Sequence, residues 1–240
     1  MLLTVTLNPA IDQTLRLDAL RLGAVNRVHA THSQAGGKGL NVARLVAARG
    51  LEVRASGFLG RDNDELFTRF FAERGLPDDF VRIPGATRTG IKLLEESRRV
   101  TTDLNLPGAA PSPEACEALL EGLPALVGAG DWVAVCGSLP PGLPPGYFSR
   151  LLHALCETGA QVAVDTSQPA LGEAVSAPIH LIKPNEHELG ELLGRPLETF
   201  AAALAAAREM QARGLPHVVL SLGREGACFP APDGALHART

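Results

Sequence analysis

The chain opens on an apolar run, Leu2-Leu3-Thr4-Val5-Thr6-Leu7, stopped at Asn8-Pro9. A short run cut off by a proline predicts a buried strand. Over residues 14–33 the pattern changes to alternation, with Leu15 and Leu17 in one half, Val25, Arg27, Val28 and Ala30 in the other, and Gly23 between them. That alternation predicts a half-exposed antiparallel ribbon. At Gly36 a glycine cluster opens a predicted helix on which Leu40, Ala43, Val46 and Ala47 share a face, and Gly50 ends it. Residues 53–59 read as a strand, and 62–75 as a helix with Leu66, Phe67, Phe70 and Phe71 on one side. Two further alternating strands, 89–94 and 100–104, flank a charged turn at 95–98.

Beyond them strand-like and helix-like segments take turns. Ser112-Pro113-Glu114 is a helix start with an N-cap, a first-position proline and an acid in the first turn. Strand 132–136, helix 145–158, strands 161–165 and 179–182, helices 185–193 and 199–213 and strand 217–222 follow, then a hairpin of 226–229 and 235–237 around 230–234. This order predicts an α/β fold: a doubly wound, mostly parallel sheet covered on both faces. The alternating segments, about 13–34 and 88–106, fall outside that rhythm and are expected to form one small accessory β sheet from two insertions. Residues 1–240 read as a single domain without repeat or linker. Because the chain closes on a hairpin with no further helix, one sheet face is expected to lie uncovered, as if the C-terminal part of the fold were absent.

Composition narrows the function. With 22 basic and 26 acidic residues the net charge is −4, and 45% of the residues are hydrophobic, so a buried core is expected and a nucleic-acid partner is not. No apolar run approaches the roughly 18 residues that span a bilayer, and the first residues lack the pattern of a signal peptide, so the expectation is a cytoplasmic protein without a membrane partner. The four cysteines contain no C-x-x-C pair. Only three of the 22 basic residues are lysine, namely Lys38, Lys92 and Lys183, and they stand in the strings GGKG, GIKL and IKPN. A chain that uses arginine almost everywhere yet keeps three compact ammonium groups invites a functional reading of them.

The sharpest string is Ala35-Gly36-Gly37-Lys38-Gly39-Leu40-Asn41. Glycines let a backbone approach a ligand, and N–H groups at a helix start favour anions or sugar hydroxyls. A tight turn would explain the glycines, but not a lysine where the helix dipole disfavours a cation. Asp12 follows the first strand and is either a ligand-binding carboxylate at a strand end or a turn cap. Cys136-Gly137-Ser138-Leu139-Pro140-Pro141-Gly142 and Asp165-Thr166-Ser167 end strands with the same ambiguity. Asn185 and Glu188, three apart at a helix start, suit either Mg²⁺ held through water or a capping box. Ser221-Leu222-Gly223-Arg224-Glu225-Gly226 ends the last long strand with small residues that can flank phosphates. No G-x-G-x-x-G string is present, and His29 and His32 fall on opposite faces of a strand.

In this order the strings TLNPAID (6–12), VNRV (25–28), AGGKGLNVAR (35–44), TRTGIK (87–92), GSLPPG (137–142), IKPN (182–185) and SLGREG (221–226) resemble the ribokinase-like (PfkB) carbohydrate kinases, in their 1-phosphofructokinase and tagatose-6-phosphate kinase branch. The resemblance covers essentially the whole chain. It implies a ribokinase-like α/β domain with a small β lid, working on ATP and Mg²⁺ and a sugar phosphate. By the same resemblance Asp12, Gly37, Lys38, Asn41 and Ser138 would line the sugar pocket, and Arg27 and Arg88 would grip the phosphate from the lid. Lys183, Asn185, Glu188, Ser221, Gly223 and Gly226 would face the nucleotide, with Glu188 holding the metal through water. Cys136, Asp103 and Gln168-Pro169 depart from the residues usual in the family. The family's catalytic Gly-Ala-Gly-Asp segment is expected downstream of 221–226, beyond Thr240, so no catalytic residue is assigned. The implied reaction is ATP-dependent phosphorylation of fructose 1-phosphate to fructose 1,6-bisphosphate. The alternatives are tagatose 6-phosphate or fructose 6-phosphate as acceptor, or a non-catalytic sugar-phosphate binder lacking that segment. The lid ribbons offer an edge for a homodimer.

Overall fold

The computed structural model describes residues 1–231 and 234–239. Strand β1 (Leu2–Thr6) leads into β2 (Ala10–Leu17) and β3 (Ala30–Gly36), then helix α1 (Lys38–Ala47), β4 (Val53–Gly60), α2 (Glu65–Arg74) and β5 (Asp78–Ile83). Next come β6 (Thr89–Glu95), β7 (Val100–Asn105), α3 (Pro113–Gly122), β8 (Trp132–Cys136), α4 (Tyr147–Glu157), β9 (Gln161–Asp165) and α5 (Ala170–Ala174). The last part holds β10 (Leu181–Ile182), α6 (Glu186–Leu193), α7 (Phe200–Ala212), β11 (His217–Val218), β12 (Leu220–Ser221), β13 (Ala227–Ala231) and β14 (Gly234–Ala238). The expected hairpin turn includes Pro232 and Asp233, which lie outside the described residues.

The main sheet has seven strands in the order β11-β10-β9-β8-β1-β4-β5, every pair parallel. From the central β1 the chain winds outward through β4 to β5, then returns to β8 on the other side and winds the opposite way. This reversal makes the β1/β8 junction a topological switch point, where the loops leaving neighbouring strand ends diverge and leave a crevice. Side-chain alternation along β4 gives each face its own cover. Val53, Ala55 and Leu59 join Leu40 and Ala43 of α1 and Phe67, Phe70 and Phe71 of α2 in one core. Phe58 joins Leu3 and Val5 of β1 and residues of α3, α4, α5 and α7 in a larger one. Among the described residues no helix is long and apolar enough to cross a membrane.

The small sheet has the order β3-β2-β6-β7. Each insertion contributes an antiparallel pair, and the two pairs join through parallel β2 and β6. The alternation over 25–29 does not yield a strand, and the second half of the ribbon starts only at Ala30. Residues 18–29 are a loop closed by Asn26, whose side chain accepts from Arg21 N–H at 2.8 Å and donates to Arg21 C=O at 2.9 Å. That closure satisfies backbone groups locally and removes the need for a ladder. Strand β5 mixes buried Phe80 and Ile83 with charges that hold its rim: Arg54 meets Asp79 at 2.7 Å and Arg82 meets Asp64 at 2.8 Å. The expected strand 217–222 is two strands, β11 in the main sheet and β12 turned to pair antiparallel with β13.

Gly57 fixes the β1–β4 contact. Its φ is +143°, and a Cβ there would sit 1.9 Å from the carbonyl oxygen of Thr6. Backbone cannot retreat from such an overlap as a side-chain tip can. Gly57→Ala is expected to destabilise the fold by about 3 kcal/mol or more, read from the shift in the urea unfolding midpoint.

Candidate active site

The crevice at the switch point is a cleft of about 300 Å³ lined by Asn8, Gly37, Lys38, Arg88, Asn105, Gly137, Ser138 and Ser167. Two strand-end loops are tied across its mouth, because Asn8 Nδ2 donates to Ser138 Oγ at 3.1 Å and to Leu139 C=O at 3.3 Å. A larger cavity, about 600 Å³, lies beside α6 and residues 194–198, away from these loops. Convergent polar groups at strand ends, and not volume, mark the smaller one as the candidate site.

Helix α1 delivers Lys38 because two glycines let it approach β1. Gly37, at φ +126°, is the N-cap and provides no side-chain cap. A Cβ at Gly39 would meet Thr6 Oγ1 at 2.3 Å. The helix start therefore lies against β1, with Lys38 reaching across the strand ends. Its Nζ sits 2.9 Å from Asp165 Oδ1, while Nζ of Lys183 sits 3.1 Å from the other oxygen of that carboxylate. Asp165 closes β9, and its backbone carbonyl accepts from Gly137 N–H at 2.8 Å. One carboxylate thus gathers two of the three lysines; the third, Lys92, pairs with Asp103 on the lid at 3.3 Å. Behind this triad the Cys136 thiol is pushed up to about 12, chiefly by burial and then by the Asp165 charge.

Asp12 lies on β2, opposite Gln34 on β3 and beside Gly90 on β6. Its carboxylate spreads over Gly36, where a Cβ would come within 2.3 Å of Oδ2. Burial raises its pKa, and the nearby charges of Lys92, Arg88 and Arg44 oppose that shift. Arg88 stands just before β6 with its Nε donating to Asn8 C=O at 3.3 Å; burial lowers its pKa, with Asp12 opposing. Asn41, on α1, accepts from the Arg44 guanidinium.

A second group sits one strand further out. Asn185 caps α6, and the reciprocal bonds to Glu188, 2.8 and 2.9 Å, complete a capping box. Ser221 Oγ donates to Pro184 C=O at 3.3 Å and holds the end of β12 beside Lys183-Pro184-Asn185. Gly223, at φ +56°, opens a single 3₁₀ turn after it. Gly226 has a structural requirement of its own, since a Cβ would come within 2.0 Å of Ala238 C=O. Among the described residues no three His, Cys, Asp or Glu side chains cluster as a metal site.

Of the residues singled out from sequence, Gly37, Lys38, Arg88 and Ser138 share the cleft, Asp12 and Asn41 stand on adjoining elements, and Lys183 joins through Asp165. Arg27 is not brought there: it lies exposed on the 18–29 loop. Asp165, left open between a structural and a functional reading, is the bridging group, and Asn105 lines the cleft without any sequence signal beyond its place at the end of β7. A Gly-Ala-Gly-Asp string does occur upstream, at 128–131, but at the wrong end of the sheet. It forms the turn entering β8, and Asp131 there accepts from the Met1 amino group at 2.9 Å and from Gly128 N–H at 3.0 Å. The length of β8 separates it from the cleft, so it is a turn and not a base.

A doubly wound sheet with two lysines gathered at its switch point suits the class of enzymes that act on phosphate groups. The family model for pfkB carbohydrate kinases matches residues 5–240. The chain belongs to the pfkB family. It is 44% identical to a 1-phosphofructokinase of Xanthomonas campestris over 99% of this chain and 76% of that one. It is 45% identical to a 1-phosphofructokinase of Rhodobacter capsulatus over 93% of this chain and 71% of that one. Phosphofructokinase-2 from Escherichia coli, solved with fructose-6-phosphate, superposes with a TM-score of 0.92 at 28% identity, covering 99% of this chain and 79% of that one.

The Asp12 shift has a measurable consequence. A folded-state pKa above the ordinary 3.8 means that ionised Asp12 costs stability at all pH values above the shifted value, and that the cost vanishes below 3.8. Asp12→Asn is therefore expected to raise the thermal midpoint at about pH 7.5, read by differential scanning fluorimetry. A lowered midpoint without ligand would contradict the assignment of burial as the dominant cause.

Proposed function

We propose that this kinase transfers the γ-phosphoryl group of ATP to a hydroxyl of a ketose phosphate, with fructose 1-phosphate as acceptor and fructose 1,6-bisphosphate as product. The observation that carries the reading is the Lys38–Asp165–Lys183 bridge, which spans from the switch-point cleft to the Pro184–Ser221 junction. Phosphoryl transfer asks little covalent chemistry of a protein. It needs two substrates held in line and positive charge placed on the transferring oxygens. Two ammonium groups on one carboxylate suit that task, because phosphate oxygens can take over the contacts that Asp165 makes.

In this assignment Asp12, Gly37, Asn41 and Ser138 hold the sugar hydroxyls, and Arg88 grips the phosphate already on the sugar with a guanidinium fork. Arg27 remains a lid-loop candidate for that phosphate, though it lies outside the cleft. Lys38 faces the transferring group. Lys183, Asn185, Glu188, Ser221, Gly223 and Gly226 serve the nucleotide side. Mg²⁺ keeps most of its waters and needs only one or two carboxylates beside the substrate phosphates. Glu188 fits that demand, since only one of its oxygens is engaged in the capping box. Bound there, the ion would neutralise charge on the ATP phosphates. No residue of this chain is assigned as the base that takes the hydroxyl proton.

The 1-phosphofructokinase relatives favour fructose 1-phosphate, and the phosphofructokinase-2 structure keeps fructose 6-phosphate as the rival. In a coupled ATP assay kcat/KM is expected to be highest for fructose 1-phosphate against fructose 6-phosphate and tagatose 6-phosphate; preference for a 6-phosphate would refute the choice. Arg88→Ala is expected to raise KM for the sugar phosphate by roughly 10- to 100-fold, the loss of one charged hydrogen bond, with KM for ATP little changed. The lid is the surface proposed for self-association, since Val100 and Leu104 are exposed on β7, the outer strand of its sheet. Replacing Val100 and Leu104 by Asp is expected to convert a dimer into monomer in sedimentation velocity; an unchanged dimer would place the interface elsewhere.

A further inference from the structure

Away from the cleft, a second cavity of about 220 Å³ opens between the lid edge strand β3 and helices α1 and α2. Three guanidinium groups, from Arg44, Arg69 and Arg74, share its lining with a single carboxylate, Glu73. Glu73 is divided between two of them, at 3.7 Å from Arg69 and 3.4 Å from Arg74. The side-chain hydrogen bonds of Arg44 go to neutral partners, Gln34 Oε1 at 3.3 Å and Asn41 Oδ1. Three positive charges against one negative leave a local excess of two on a chain whose net charge is −4. The cavity is also built to keep that charge in place. Arg74 stacks over the Phe70 ring with its guanidinium carbon 4.5 Å from the centroid, and Phe70 itself is buried in the floor.

We infer that this cavity is an anion site, separate from the kinase cleft, for a small phosphomonoester: a dianionic phosphate on a short carbon stem. The excess of two charges matches a dianionic phosphate, guanidinium forks match its oxygens, and Leu66 with the edge of Phe70 on the lining gives the stem an apolar seat. The volume exceeds what a bare phosphate needs.

The site is coupled to the sugar pocket through Arg44. That residue stands six positions along α1 from Lys38, roughly 9 Å at 1.5 Å per residue, and its guanidinium orients Asn41. It also bonds Gln34, the residue directly opposite Asp12 in the β2–β3 ladder. An anion that draws Arg44 into the cavity takes it from Asn41 and removes positive charge from the neighbourhood of Asp12. Occupancy therefore weakens sugar-phosphate binding, and linkage requires that sugar phosphate weaken anion binding by the same factor. The coupling to the sugar rests on the proposed role of Asn41 and Asp12; the anion site does not.

Equilibrium dialysis with radiolabelled glycerol 3-phosphate on the whole chain tests this without any turnover assay. The cleft can also take this probe, so Arg88→Ala serves to weaken that contribution. Arg88→Ala is expected to retain one bound anion per chain, and adding Arg69→Glu to it is expected to weaken that binding by about tenfold or more. Arg69 is well exposed, so the reversal leaves the fold intact; Arg74→Gln, with its folding checked by circular dichroism, provides the second variant. Unchanged binding in both variants, or no bound anion in Arg88→Ala alone, overturns the site. Equal affinity for inorganic phosphate overturns the phosphomonoester assignment. A chain that bound the anion as described yet preferred a 6-phosphate ketose in the coupled assay would refute the substrate reading and leave this site standing.

Discussion

Two ammonium groups brought within one cleft repel each other unless an anion stands between them, and in this protein Asp165 is that anion. It closes β9 at the edge of the switch-point crevice, so the same strand end that shapes the cleft also holds its charges. Lys38 arrives from a helix on one side, Lys183 from a strand end on the other, and each takes a separate oxygen of the carboxylate. The ion pairs are partly exposed, so their contribution to folding is modest. Their consequence is positional. They set the spacing at which two cations wait for phosphate oxygens, and that spacing links the sugar side of the site to the nucleotide side.

What allows this arrangement is close backbone approach. Gly36, Gly37, Gly39 and Gly57 lie where α1, β1, β2 and β4 crowd together, and a Cβ would overlap the Asp12 carboxylate at Gly36, the Thr6 hydroxyl at Gly39 and the Thr6 backbone at Gly57. The glycines of the GGKG string thus work first as spacers. They let the helix start reach the strand ends, and the lysine and the lid carboxylate follow from that placement. The lid sheet is tied to the same point, since β2 leaves the cleft directly after β1 and β6 starts immediately after Arg88.

Much of the architecture was legible because it is written in short-range pattern. Alternating strand and helix signals gave the α/β order, and Ser112, Asn185 and Thr199 each cap the helix that their position announces. The misses have physical causes. Strand β5 sets Asp78, Asp79 and Arg82 around Phe80 and Val81, and the partners of Asp79 and Arg82, Arg54 on β4 and Asp64 just before α2, are distant in sequence. Residues 25–29 alternate but form no strand, because Asn26 closes the loop first. The 128–131 string shows the same limit from the other side: four residues matching a catalytic motif form a turn at the opposite end of the sheet.

The sequence by itself determined the class of fold, the helix caps, the glycine-led approach of α1 and the unusual retention of three lysines. Those features depend on neighbours a few residues apart, which any window along the chain contains. Only the tertiary structure decided that Asp165 receives two of those lysines, that Asn8 and Asn105 face one cleft, and that Arg27 does not. It also decided that Arg44, Arg69 and Arg74 surround one cavity. Each of these is a meeting of strand ends or faces whose separation in the chain carries no periodic signal, and the winding of the sheet about β1 is what brings them together.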